Sequence, residues 1–149
     1  MSKTDLNQET KFGLENLAKI YDRVTFISVM DIDKSVKLSA LTYECLGYYN
    51  AVEHLILRFI KYLKVNQPSG AFSHSETLKI FGKLISEQTL DIDGSILKVF
   101  LELMAFRHVA TKIYSFLIDE DKLETIIIKI KTEHTRIIVV FEQLLLSIN

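Results

Sequence analysis

From residue 38 onward, apolar side chains recur at steps of three and four: Leu38, Leu41, Cys45, Tyr48, Val52, Leu55, Phe59 and Leu63. An α-helix turns once in 3.6 residues, so this spacing draws one apolar stripe down a long amphipathic helix. The same register returns in Leu14, Leu17, Ile20, Tyr21, Val24 and Ile27. It returns again in Ile96, Val99, Leu103, Arg107, Ala110, Tyr114 and Leu117, and in Leu123, Ile127, Ile130, His134, Ile137, Phe141, Leu144 and Ile148. The runs "TIIIKI" and "RIIVVF" alone would suit strands. They sit inside a helical register with no turn signal between them, and that favours helix.

Caps divide the pattern. "DLNQ" at 5–8 and "SHSE" at 73–76 read as capping boxes. "DIDK" at 31 and "DIDG" at 91 offer Asp caps, and "DED" at 119–121 puts negative charge at a helix start. "NQPSG" at 66–70 is the clear loop. Five helices are expected, at about 5–29, 33–64, 74–87, 94–117 and 120–147. Short loops between them imply an all-α, up-and-down antiparallel bundle forming one domain over 1–149.

Composition narrows the function. With 18 basic against 19 acidic residues, no global field would draw in nucleic acid, so any RNA contact must be local. Cys45 is the only cysteine, which excludes an internal disulfide and points to a reducing cytoplasm. The first residues hold no apolar core of a signal peptide, and no apolar run is long enough to span a bilayer. A cytoplasmic protein without membrane contact is expected. The four histidines lack metal-ligand spacing, and there is no glycine-rich phosphate loop or nucleophile elbow. No metal or cofactor is expected.

Three segments, in order, then carry a resemblance. They are "LSALTYECLGYYNAVEHLILRFIK", with Tyr49, Asn50 and Glu53 in an aromatic-Asn-x-x-Glu pattern; "QPSGAFSH", a Pro/Gly loop ending on His74; and "FRHVATKIYSFLIDEDKL". Together, over residues 37–147, they resemble the HEPN superfamily and within it HepT-like proteins, the toxin partners of small MNT-type nucleotidyltransferases. The third segment is similar to the Arg-polar-x-x-x-His-x-Tyr motif of that family. Here Lys112 stands at the histidine position and Thr111 where a basic residue is often seen. The tryptophan sometimes found before the loop histidine is also missing.

The resemblance implies metal-independent RNA cleavage, in which a 2′-hydroxyl attacks the adjacent phosphate. That reaction needs a group exchanging protons near neutrality, which histidine supplies, and a cation to hold the phosphate. Arg107 can be that cation. Lysine ordinarily stays protonated far above neutrality, so Lys112 is a poor base. His108, one residue from Arg107, points about 100° away on a helix and is a weak substitute. Tyr114, two turns from Arg107 on the expected helix, corresponds to the tyrosine to which the family's partner attaches AMP.

Each residue also has a plainer reading. Arg107 on an apolar stripe needs a partner, and Glu53 is the natural one for a structural salt bridge. Lys112 reads as a solvated helix lysine, Tyr114 as core or interface, Cys45 as packing and His134 as a hydrogen-bonded core histidine.

Three functions fit these residues. The first is a HepT-like component of a toxin–antitoxin module with weakened or lost catalysis, binding RNA, nucleotide or a nucleotidyltransferase. The second is an active endoribonuclease using Arg107 with His108 or Lys112. The third is a non-enzymatic helical interaction protein. The first predicts no significant RNA cleavage by the wild type. A homodimer is also expected, since Phe100, Met104, Phe106, Ile113 and Phe116 offer more apolar surface than one bundle helix usually buries.

Overall fold

Ser2 begins the first helix by reciprocal capping. Its Oγ accepts from the Asp5 N–H and the Asp5 carboxylate accepts from the Ser2 N–H, both at 3.1 Å. The structure is a computed structural model that describes residues 1–114 and 117–148. Helix α1 spans Lys3–Ser28, α2 Lys34–Tyr62, α3 Ser73–Glu87, α4 Ser95–Ala110 and α5 Glu120–Ser147. Among the described residues there are five α-helices and no strand, so the all-α reading holds.

Helix starts follow the aspartates closely. Asp33 caps α2 through Ser35 and Val36, and Asp119 caps α5 through Asp121 and Lys122. Buried Asp91 accepts from the Ile96 and Leu97 N–H groups of α4, at 3.0 and 3.1 Å. Two capping boxes are corrected. Asp5 is the third residue of α1 rather than its cap, because Ser2 offers a better-placed hydroxyl. Ser73 already lies inside α3, whose N-cap is Phe72, and no side chain caps that helix.

Ion pairs and ring contacts fix the packing directions. Glu9 pairs with Arg58 at 3.0 Å and Arg23 with Glu44 at 2.6 Å, which sets α1 antiparallel to α2. At the other end of α1, the Lys3 ammonium donates to the Leu145 and Ile148 carbonyls, closing the C-terminus of α5. Asp93 with Arg136 and Glu102 with Lys129 run α4 against α5. At the centre, Phe59, Phe81, Phe100 and Phe141, one from each of α2 to α5, pack with centroids 5.2 to 6.3 Å apart.

His134 ties α1, α2 and α5 together. Its ring stacks on Tyr21 at 4.0 Å, and Nδ1 hydrogen-bonds the Tyr48 hydroxyl at 2.9 Å. Burial holds its pKa below the ordinary histidine value, against an opposing pull from Asp22. It is the hydrogen-bonded core histidine that its stripe position suggested.

The largest departure is the end of α4. The expected helix to 117 stops at Ala110, where the Thr111 N–H and hydroxyl both bond the Arg107 carbonyl. Lys112 and Tyr114 therefore lie beyond the helix, and Tyr114 does not share a helical face with Arg107. Residues 115 and 116, part of that expected helix, lie outside the described residues.

Candidate functional site

Two helices bring chemistry to one stretch of α2. Tyr49 and Glu53 are one turn apart and share a face, with Asn50 one step around it. The buried Tyr49 donates its hydroxyl to Glu53 Oε2 at 2.7 Å. Helix α3 carries His74 in its first turn, with Nδ1 2.6 Å from the same Oε2. Helix α4 carries Arg107 in its last turn, and Nε donates to Asn50 Oδ1 at 3.1 Å.

The hydrogen bonds assign the tautomer. An ionised carboxylate only accepts, so Nδ1 of His74 carries the hydrogen that Glu53 receives. In the neutral ring Nε2 is then left as a base. The His74 side chain is 42% exposed and that of Glu53 only 14%, so the carboxylate is sheltered while the imidazole meets solvent. Burial first, then the bond to Glu53, push the Tyr49 phenol well above its ordinary value; the Arg107 charge acts the other way. Tyr49 remains a proton donor in the sheltered cluster.

The expected Arg107–Glu53 salt bridge is corrected. Among the described residues no carboxylate lies within 4.0 Å of the Arg107 guanidinium, whose hydrogen bond goes to the neutral Asn50 amide. Glu53 is instead taken by His74 and Tyr49. A guanidinium held by one nitrogen on a neutral group keeps its remaining donors for an anion.

The rest of the motif is more scattered. His108 is exposed and next to Arg107, and Lys112 is exposed in the turn after the helix. The Tyr114 side chain is 72% exposed, which makes it accessible to modification and corrects its reading as core. Cys45 is buried, with its thiol pushed up to about 12 by burial, and serves packing. Among the described residues no three His, Cys, Asp or Glu side chains group as a metal site. His74 is the site residue that motif reasoning undervalued. Its signal was a histidine directly after the only Pro/Gly loop, at a helix start and thus close to a neighbouring element.

Five packed helices, with an arginine ending one of them against a Tyr-Asn-x-x-Glu segment, define an all-helical bundle protein. The family model for HepT-like proteins matches residues 40–145. The chain belongs to that family. No curated protein and no solved structure matches it. No helix among the described residues is long and apolar enough to cross a membrane.

Proposed function

We propose that this HepT-like chain is the RNA-binding component of a toxin–antitoxin module, with catalysis weakened by lysine at the motif's histidine position. Arg107 grips a backbone phosphate, and Lys112, exposed in the turn beyond α4, supplies no proton exchange near neutrality. The chain works as a homodimer and answers to a small nucleotidyltransferase, for which exposed Tyr114 is the acceptor of AMP. The observation that carries the reading is the state of Arg107: half-buried at a helix end and, among the described residues, held only by the Asn50 amide. A guanidinium that merely specified packing would be matched to a carboxylate, and Glu53 is engaged elsewhere.

The test is RNA binding. Wild-type protein is expected to bind single-stranded RNA with slow turnover, and Arg107→Ala to weaken binding about ten- to hundredfold, the worth of a charge-assisted hydrogen bond. Equal binding by wild type and Arg107→Ala would overturn the reading.

A further inference from the structure

We infer that His74, oriented by Glu53, is the proton acceptor of the residual RNA cleavage, standing in for the histidine that position 112 lacks; this rests on the phosphate-binding reading of Arg107. Three observations carry it. The Nδ1–Glu53 contact at 2.6 Å, beside the Tyr49 hydroxyl bond to the same oxygen, commits Nδ1 as donor and leaves Nε2 as base. This is the arrangement by which a carboxylate fixes an imidazole for general-base work. The second is placement: His74 bonds Glu53 and Arg107 bonds Asn50, side chains one turn apart on α2, so base and cation are anchored on one stretch of that helix. The third is the surroundings of His74. It opens a helix that no side chain caps, whose N-terminal N–H groups favour a phosphate. Two residues before it, Phe72 is 75% exposed and offers a face on which a base can stack.

The step balances without a further reagent. The 2′-hydroxyl gives its proton to His74 Nε2 while its oxygen bonds to phosphorus, and Arg107 holds the charge that grows on the phosphate oxygens. The bond from phosphorus to the 5′-oxygen breaks. The leaving oxygen takes a proton from solvent and His74 returns its own to solvent. The products are a 2′,3′-cyclic phosphate and a 5′-hydroxyl end. Glu53 is a positioning residue: it holds the tautomer and never meets the RNA.

The experiment measures binding and cleavage of one single-stranded RNA, in chelator, by the full chain, by Arg107→Ala and by four further variants. His74→Asn keeps a donor for Glu53 but has no base, and His74→Gln is its partner variant should one fold poorly. Both are expected to bind RNA within about threefold of wild type and to lose about a hundredfold or more in rate. Glu53→Gln is expected to lower kcat with little change in KM. His54→Gln, an exposed histidine of the same helix, should leave the rate unchanged. Cyclic-phosphate ends should disappear in the His74 variants. Cleavage by His74→Asn or His74→Gln at the wild-type rate overturns the inference. Wild-type binding without any cleavage overturns it too, while leaving the phosphate-binding reading in place. Absence of Arg107-dependent binding removes that reading instead.

Discussion

Lys112→His tests the idea that one residue weakens this site. Restoring an imidazole returns a group that exchanges protons near neutrality, a contribution worth about 10²- to 10⁴-fold in rate. The expected outcome is faster chelator-resistant cleavage than wild type, with RNA affinity unchanged, read by the appearance of 5′-hydroxyl fragments. Fast cleavage by the unaltered protein, abolished by Arg107→Ala, would instead favour the active-ribonuclease reading. At this scale the sequence named Tyr49, Asn50, Glu53 and Arg107, and the structure brings all four together. It misjudged their pairing. Charge alone couples Arg107 to Glu53, but a linear reading does not see His74 arriving from α3 to claim the carboxylate first. Competition for one acceptor is a three-dimensional fact, and no spacing rule encodes it.

At the scale of elements, helix bounds were legible to within two residues, except at the end of α4. Aspartate caps act locally, so Asp33 and Asp119 could be read directly. The end of α4 falls at Ala110 with no Gly or Pro to announce it. Two substitutions probe these termini. Asp91 is buried and satisfies two N–H groups at the start of α4, with Arg136 3.7 Å away. Asp91→Ala should destabilise the fold by about 1–3 kcal/mol, since it orphans buried donors, seen as a lower denaturant midpoint at unchanged slope. Thr89, just past α3, holds a left-handed φ of 56° while its neighbour Leu90 closes back on Ile85. A β-branched residue is strained there and glycine is not, so Thr89→Gly should stabilise by roughly 1 kcal/mol. A fall in the midpoint for Thr89→Gly would show the turn to be relaxed.

For the molecule as a whole, His134 makes stability depend on pH. Its folded pKa lies below the ordinary value that it regains on unfolding, so below that value the unfolded chain binds more protons. Stability is therefore complete above the ordinary histidine range and declines as pH falls from it toward the lower folded value. In His134→Gln, which loses the titrating ring, that part of the decline should vanish from the unfolding free energy measured across the range. Association is the other property at this scale. Phe100 and Phe106, expected to supply a dimer face, are buried within the bundle at 0% and 8% exposure. Phe116 lies outside the described residues. Among the apolar side chains left exposed, three follow Arg107 in the chain: Val109 at 44%, Ile113 at 38% and Leu117 at 58% exposure. Exposed apolar side chains close in sequence to Arg107 are ones that a partner copy would cover, and the family resemblance implies a cleft shared by two protomers around that residue. Wild-type protein should therefore scatter light as a dimer at high concentration. Val109→Asp combined with Ile113→Asp should give monomer with an unchanged helical circular dichroism spectrum, because neither side chain belongs to the buried core. A wild type that stays monomeric at every concentration would remove the shared cleft and leave each chain with a site of its own.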